Sequence, residues 1–217
     1  MGGDANGQQC WFAQFSNRIV PTANPLDGTQ SVRGLSDGFG SSTTISPTLP
    51  AGTEAYSYAA ARISIANTGS GATWRFAPQD TGAGLVITRL HFVPGGAIQV
   101  LQGNPAAYVT IPSVTWPSAT SFDIKVITRR ADGAMEVCMN GASIFTGTAI
   151  STTVDARDTR NIAIGSLMES GSAGSTVDFD NVAIDNTDTG GCGAGRPAPR
   201  LSLVGETLGS VQADSAA

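Results

Sequence analysis

The stretch that decides the fold is Ser121–Gly147, which reads SFDIKVITRRADGAMEVCMNGASIFTG. Within it apolar residues alternate with polar ones in two runs, first at Phe122, Ile124 and Val126 and then at Met135, Val137 and Met139. This two-residue period is typical of strands that bury one face. Asp132-Gly133 separates the runs and Asn140-Gly141 follows the second, and both dipeptides favour the positive φ angles of type I′ turns. With a third short strand at Ala142–Thr146, the stretch predicts a three-strand meander whose apolar face needs a second layer.

The rest of the chain supplies candidates for that layer as further short strands. Turn signals recur about every ten residues, which is the spacing of a β-sandwich or barrel. No segment has sustained helical periodicity, so an all-β fold is predicted. The predicted strands are Cys10–Phe15, Thr29–Arg33, Thr43–Leu49, Tyr56–Ala66, Ala72–Ala77, Leu85–Val93, Ala97–Leu101, Ala107–Ile111, Asn161–Met168 and Ser175–Asp185.

The last predicted strand contains a change of phase. Val177 and Phe179 share one face, whereas Val182 and Ile184 fall on the other. A strand with a period of two can bury both pairs on one face only if it contains an extra residue. The sequence therefore predicts a β-bulge at Asp180-Asn181.

The length and composition favour one domain with a tail at each end. The chain has 217 residues, and 13% of them are charged, against about 25% in typical domains. We predict an N-terminal arm at 1–9, a β-sandwich domain at 10–186, and a linker and C-terminal arm at 187–217. The C-terminal arm carries Leu201, Leu203 and Leu208, which are candidate partner contacts.

Net charge and the length of apolar runs argue against two classes of partner, nucleic acids and membranes. The formal net charge of −5 disfavours a nucleic-acid phosphate backbone, because such binding needs clustered Lys and Arg. No run of about 18 apolar residues occurs, so no membrane partner is predicted. Met1 leads directly into Gly-Gly-Asp without the basic and apolar regions of a signal peptide. Either Met1 is not the native start, or the protein is made and used without Sec export.

The three cysteines have no metal-binding or scaffold spacing. Cys138 falls inside a predicted strand, and we expect it to be a buried, inert thiol. Cys10 and Cys192 lie near the two ends of the predicted domain. They are the candidate disulfide pair, provided that those ends are neighbours in space.

Five segments of the chain resemble a known superfamily: Val137–Gly141 (VCMNG), Asn161–Gly165 (NIAIG), Val177–Val182 (VDFDNV), Gln8–Phe15 and Pro25–Arg33. They are similar to parts of concanavalin A-like lectin/glucanase domains, including laminin G-like modules. The resemblance implies a two-sheet antiparallel jelly-roll sandwich. The superfamily includes lectins, glycan-binding modules, glycosidases, polysaccharide lyases and non-catalytic virion or adhesin domains, so the fold alone does not choose the activity.

The residues do not predict an enzyme, and no catalytic residue is assigned. Glycosidases need two carboxylates about 5–9.5 Å apart, and the Glu-x-Asp-x-x-Glu strand of the resembling glucanases is absent. Asp178 and Asp180 are instead expected on a solvated outer face, with one aspartate stabilising the bulge. His91, the single histidine, lacks the neighbouring Arg/Gln/Tyr/Lys pattern of the resembling alginate lyases. It is expected to be a packed or edge histidine rather than a base.

No cofactor is predicted, although the resemblance leaves calcium open as an alternative. The candidate oxygen donors have no regular ligand spacing, and they are Asp27, Asp155, Asp158, Asp178 and Asp180. Trp116 precedes Pro117 in a predicted loop, and packing within that loop is the favoured interpretation. The alternative is that Trp116 is exposed and stacks on a sugar ring, for which it is the best candidate among the aromatic residues.

The interpretation that fits best is a non-enzymatic structural or binding module in an assembly, such as a phage virion decoration (cement) or appendage protein. Its location would be the virion, assembled in the host cytoplasm, and its partners a protein lattice or copies of itself, by analogy a trimer. The alternative is a carbohydrate-binding, lectin-like module of a secreted bacterial protein, located outside the cell. A glycan is then the partner, and Trp116 the leading contact.

Overall fold

Two antiparallel β-sheets packed face to face form the described part of the chain. The computed structural model describes residues 3–4, 11–14, 18–21, 30–35, 42–45, 55–66, 73–79, 86–150, 157, 159, 161–166, 176–185 and 191–192. Among these residues there is no α-helix. Accordingly, this part of the chain contains no helix with the length and apolar character needed to cross a membrane.

The strands of the described residues pair into one sheet of eight and one of seven. In chain order they are β1 (Gly3–Asp4), β2 (Trp11–Gln14), β3 (Arg18–Pro21), β4 (Gln30–Leu35), β5 (Ser42–Ile45), β6 (Tyr56–Ala66), β7 (Trp74–Gln79), β8 (Arg89–Phe92), β9 (Ala97–Gln102), β10 (Ala107–Thr115), β11 (Phe122–Arg129), β12 (Ala134–Met139), β13 (Ala142–Thr148), β14 (Asn161–Ser166) and β15 (Thr176–Asp185). The eight-stranded sheet has the order β1-β3-β4-β15-β6-β11-β12-β13, and the seven-stranded sheet has the order β10-β9-β8-β7-β14-β5-β2. The predicted all-β, two-sheet antiparallel jelly-roll sandwich is confirmed.

The main core fills the space between the two sheets. Trp74 and Phe76 of β7 are buried there, as their shared parity predicts. Phe92 of β8 meets Phe122 of β11 edge to face, with ring centroids 5.5 Å apart. This contact joins the two sheets, and edge-to-face geometry is favourable for aromatic pairs. Burying an aromatic side chain contributes roughly 1.5–3 kcal/mol, so contacts of this kind hold the sheets together.

The predicted meander is present as β11, β12 and β13, but its two turns differ. Asn140 and Gly141 both have positive φ, 51° and 79°, which fits the predicted type I′ turn. At the other turn only Gly133 has positive φ, at 77°, so the predicted type I′ turn at Asp132-Gly133 is wrong. Four residues connect the two strands, and the Asp132 carboxylate accepts the backbone N–H of Ala134 at 3.0 Å. A side-chain bond of this kind stabilises a wider loop.

The predicted bulge in β15 is confirmed. Asp180 pairs with Arg62 and Ala183 pairs with Ala60, so β15 advances three residues while β6 advances two. Asn181 takes a positive φ of 46°. Its backbone N–H donates to the Asp180 carboxylate at 2.7 Å, which is the bulge-stabilising role expected for an aspartate here.

Some predicted strand bounds differ from the structure, and one strand was missed. The long strand expected at Leu85–Val93 is a strand only over Arg89–Phe92, because the Ile87 carbonyl accepts from Ile150 N–H instead of a strand neighbour. The strand at Arg18–Pro21 was not predicted. It pairs with β4, and it lacks the alternation that marks the other strands.

The cysteine predictions are also wrong. Cys138 forms a disulfide with Cys192, with Cα atoms 5.5 Å apart and a sequence separation of 54. Cys138 is therefore not a free thiol, and Cys192 is not the partner of Cys10. The physical reason is the parity of β12: Val137 faces the core, so Cys138 faces outward. There it packs with Tyr58 and Cys192 in a second, smaller cluster.

Trp116 is packed, as the favoured interpretation expects, and is not the exposed aromatic that the alternative of sugar stacking requires. It is 5% exposed and belongs to the main core. Its indole N–H donates to the backbone oxygen of Val93 at 3.0 Å, so the ring is held inside the loop after β10. The arm residues Leu201, Leu203 and Leu208 lie outside the described residues.

Candidate functional site

The outer face of the seven-stranded sheet carries polar side chains between core positions. On β8, Leu90 and Phe92 are fully buried toward the other sheet. Because side chains alternate along a strand, Arg89 and His91 point to the opposite, outer face. The same alternation on β7 places Arg75 outward between two buried aromatic residues.

The strand register brings these side chains together. Arg75 pairs with His91, and His91 pairs with Gln99. Cross-strand partners lie on the same face with Cβ atoms about 4.5–5.5 Å apart. Arg89 and Tyr108 both pair with the same residue of β9. We refer to the resulting group as the polar cluster, which consists of Arg75, Arg89, His91, Gln99 and Tyr108.

A hydrogen-bonded tyrosine and histidine form the centre of the polar cluster. The Tyr108 hydroxyl lies 2.9 Å from His91 Nε2, and the tautomer of His91 decides which group donates. The two rings are stacked, with centroids 4.3 Å apart and planes 28° apart. Arg89 Nη1 donates to the same hydroxyl at 3.4 Å. Tyr108 is 41% exposed whereas His91 is 7% exposed, so the tyrosine ring presents the surface and the imidazole lies beneath it.

Two guanidinium groups give the polar cluster a positive charge. Burial lowers the pKa of Arg75, and the nearby Arg89 cation lowers it further, while Tyr108 acts in the opposite direction. The effect of Arg89 means that the two cations are close enough to repel each other.

A second surface lies on the outer face of the eight-stranded sheet. There the Lys125 ammonium donates to the Gly191 carbonyl at 3.0 Å and lies 5.2 Å from the centre of the Tyr58 ring. Burial lowers the pKa of Lys125, and Glu136 opposes that effect. A cavity of about 550 Å³ opens beside this segment. We refer to it as the disulfide groove, and its lining includes Tyr56, Ile127, Arg129, Glu136, Thr146 and Gly191.

Neither a catalytic acid pair nor a metal centre emerges from the candidates that the structure describes. Asp178 and Asp180 alternate with core residues of β15, and Asp180 holds the bulge. Glu136, Cys138 and Cys192 place their ligand atoms within 4.8 Å of one another, but the two sulfurs are bonded to each other and are not the thiolates that bind metals. The candidate calcium donors Asp27, Asp155 and Asp158 lie outside the described residues.

The structure brings together residues that the sequence did not connect. His91 is packed, as predicted, and it shares the outer face with Arg89 of its own strand and with Arg, Gln and Tyr side chains of three other strands, β7, β9 and β10. The neighbours missed by sequence reasoning are Arg75, Arg89, Gln99 and Tyr108. Their signal was an isolated polar residue between apolar ones, as in Trp74-Arg75-Phe76. That pattern indicates an outward side chain but not which others it meets.

Comparisons with known proteins place the chain by fold and not by family. No protein-family model matches the chain, and no curated protein matches it. Several solved structures are similar. A sialidase has a TM-score of 0.61 and 10% identity over 83% of this chain, which spans only 17% of the sialidase. The cellulose induced protein Cip1 has a TM-score of 0.59 and 18% identity, over 86% of this chain and 97% of its own.

A third similar structure comes from a bacteriophage. The carbohydrate esterase of the Shiga toxin-encoding phage phi24B has a TM-score of 0.57 and 10% identity, over 85% of this chain and 96% of its own. At such low identities the similarity identifies a common β-sandwich fold and no more. The concanavalin A-like superfamily therefore stays a prediction.

Proposed function

We propose that this protein is a carbohydrate-binding β-sandwich domain and that it binds its glycan at the polar cluster. The observation that carries the proposal is the exposed Tyr108 ring, whose hydroxyl bonds to both His91 and Arg89. Sugars present apolar C–H faces and hydroxyl groups together. An aromatic ring with fixed hydrogen-bonding groups at its edge matches both features.

The fold supports the proposal by analogy. The sialidase and the phage carbohydrate esterase both have names that refer to carbohydrates, although fold similarity alone does not transfer activity. The Cys138–Cys192 disulfide fits the extracellular location of the lectin-like alternative, and it fits a virion surface equally well, because disulfides persist in both places.

The virion role predicted from the sequence is not favoured by a specific contact. It depends on the C-terminal arm, whose Leu201, Leu203 and Leu208 lie outside the described residues. Assembly into a lattice or a homo-oligomer therefore stays a sequence-based prediction. Carbohydrate binding has a site with named side chains, and we adopt it for that reason.

A glycan array followed by affinity electrophoresis tests the proposal. The full chain should be retained by at least one glycan, and Tyr108→Ala should weaken that retention by about tenfold or more, which corresponds to about 1.4 kcal/mol. Tyr56→Ala is the matched control, because Tyr56 is a tyrosine of the disulfide groove on the opposite sheet. Failure of all glycans to bind, or equal binding by the Tyr108→Ala variant, would contradict the proposal. Loss of binding in Tyr56→Ala alone would move the site to the disulfide groove.

A further inference from the structure

The outer face of the eight-stranded sheet brings three potential metal-ligand atoms together. Glu136 and Cys138 are two residues apart on β12, so both side chains leave the sheet on the same side. Cys192 reaches the same place from the segment that follows β15. The two sulfurs and a carboxylate oxygen of Glu136 all lie within 4.8 Å of one another. We refer to Glu136, Cys138 and Cys192 as the thiol–carboxylate cluster.

Contacts other than the disulfide bring Cys192 to β12. The Lys125 ammonium donates to the carbonyl oxygen of Gly191 at 3.0 Å, and Lys125 is the cross-strand partner of Cys138. Oε2 of Glu136 lies 3.8 Å from the position that a Cβ on Gly191 would take, so the carboxylate is directed at this segment. Because none of these contacts needs the sulfur–sulfur bond, we expect the three side chains to stay neighbours after reduction.

The two sulfurs differ in their access to a reductant. Cys138 is 2% exposed and packs against Tyr58, whereas Cys192 is only half-buried. Reduction begins when a thiolate attacks an accessible sulfur of the disulfide, and here that sulfur belongs to Cys192. Cytosolic thiols keep cysteines reduced, whereas oxidising compartments preserve disulfides. The cluster therefore has an oxidised and a reduced form, and the compartment selects between them.

We propose that the reduced thiol–carboxylate cluster binds one zinc ion through Cys138, Cys192 and Glu136, and that the ion replaces the disulfide in holding Gly191-Cys192 against the sheet. Thiolate sulfur and carboxylate oxygen both bind zinc, at about 2.3 Å and 2.0–2.2 Å, and zinc accepts three protein ligands with water as the fourth. The site departs from the sequence-based prediction of no cofactor. It is independent of the glycan site, which lies on the other sheet.

Reduction and metal binding are two separate steps, and each is balanced. A dithiol reductant supplies two electrons and two protons, so that the disulfide becomes two thiols while the dithiol closes to its own disulfide. Zinc binding then releases one proton from each thiol to solvent. Two thiolates and one carboxylate carry three negative charges, which the divalent ion and the Lys125 ammonium match. The oxidation state of zinc does not change.

Zinc titration of the reduced full chain tests the proposal. The chain is reduced with dithiothreitol, which is then removed by desalting without oxygen, and zinc affinity is measured by competition with a chromogenic chelator. The reduced chain should bind one equivalent of zinc, and the oxidised chain should show no binding at the same concentrations. Cadmium in place of zinc should produce the ultraviolet sulfur-to-metal charge-transfer band that reports thiolate ligation.

Four substitutions assign the ligands. Cys192→Ala should lose zinc binding, because one of the two thiolates is gone. Glu136→Gln should weaken the zinc affinity of the reduced chain by about tenfold or more, while its oxidised form should unfold close to the wild-type midpoint. Asp123→Asn is the matched control, because this carboxylate lies on the same outer face but pairs with Arg62 at 3.3 Å. Asp123→Asn and Cys10→Ala should both bind zinc as the wild type does.

Thiol alkylation keeps the test decisive even if the reduced chain unfolds without metal. Zinc should slow the reaction of Cys138 and Cys192 with iodoacetamide, as mapped by peptide mass spectrometry, and Cys10 is the internal control whose rate should not change. The thermal midpoint of the reduced chain should also rise by about 5 °C or more when free zinc is a hundred times its Kd.

The outcomes separate this proposal from the glycan site. One equivalent of zinc on the reduced chain, lost in Cys192→Ala and weakened in Glu136→Gln, supports it. Equal zinc binding by the oxidised and reduced chains, no binding by either, or undiminished binding in Cys192→Ala overturns it. Undiminished binding in Glu136→Gln overturns the three-ligand assignment. Tyr108→Ala should bind zinc as the wild type does, so a failure of glycan binding leaves this result unaffected.

Discussion

Removal of the Cys138–Cys192 disulfide should destabilise the fold by about 4 kcal/mol. The two cysteines are 54 residues apart in sequence, and the chain-entropy relation for a loop of that length gives about 4 kcal/mol at 25 °C. The segment between them includes the whole of β13, β14 and β15, so the bond restrains a large part of the unfolded chain. In the folded state it also holds Gly191 against Lys125.

Equilibrium urea unfolding of the Cys138→Ala/Cys192→Ala variant measures this loss. Its midpoint should fall relative to the oxidised wild type. For a chain of this size, each kcal/mol corresponds to roughly 2–4 °C in Tm, so the thermal midpoint should fall by about 10 °C. The wild type in a strong thiol reductant should move to the same midpoint as the double variant.

The double variant is also the control for the reductant. Adding the reductant to the double variant should leave its urea and thermal midpoints unchanged, because its one remaining cysteine is Cys10. If the oxidised wild type and the double variant unfold at the same midpoint, then the disulfide either does not form or does not restrain the unfolded chain. Either result would refute the reasoning. A fall in the midpoint without recovery on reoxidation of the wild type would point to rearrangement instead.

Two further perturbations report on the turn and the loop. Trp116→Phe should lower the free energy of unfolding by about 1 kcal/mol, which is the typical net value of a hydrogen bond such as the lost indole bond to Val93. The variant should retain glycans as the wild type does. Reduced retention would mean that Trp116 does contact the glycan. Hydrogen bonds from Arg129 and from the backbone N–H of Ala134 hold the pKa of Asp132 below its usual range. The charged carboxylate therefore stabilises the folded state at any pH above the ordinary carboxyl pKa of about 4. This stabilisation is lost as pH falls toward the lowered pKa. The stability difference between wild type and Asp132→Asn should therefore shrink as pH is lowered below about 5, and a constant difference in urea midpoints would contradict it.

The strands that could be predicted best are those whose alternation is unbroken. Tyr56–Ala66 has the bounds that the sequence predicted, because it lies between β15 and β11 and every second residue packs into the core. The bulge at Asp180-Asn181 could also be predicted, since a change of parity within one strand is explained most simply by one extra residue. Arg18–Pro21 was missed because its partner, β4, is what makes it a strand, and its own residues do not alternate.

The disulfide could not be predicted from spacing. Cys138 sits in a strand where a thiol can be buried without a partner, and 54 residues separate it from Cys192. One usable signal was present. Cys138 has the outward parity of Glu136 and not the inward parity of Val137, so a buried Cys138 needed a cover from outside the sheet. That cover is the segment Gly191-Cys192.

The polar cluster could not be predicted from the sequence for a related reason, and the same reason explains how the fold keeps the cluster together. Arg75, His91 and Gln99 are each a single polar residue between apolar neighbours, as in Leu90-His91-Phe92, so the sequence indicates the face of each residue but not which residues of other strands lie beside it. Register decides the neighbours, and the core decides the register, because a slip of one residue would expose Leu90 and Phe92 and bury His91. Each fully buried side chain of that size is worth roughly 1.5–3 kcal/mol, so such slips are strongly disfavoured. The packing energy between the sheets therefore holds Tyr108 against His91, and a substitution in the core that loosens the register should weaken the site without touching it.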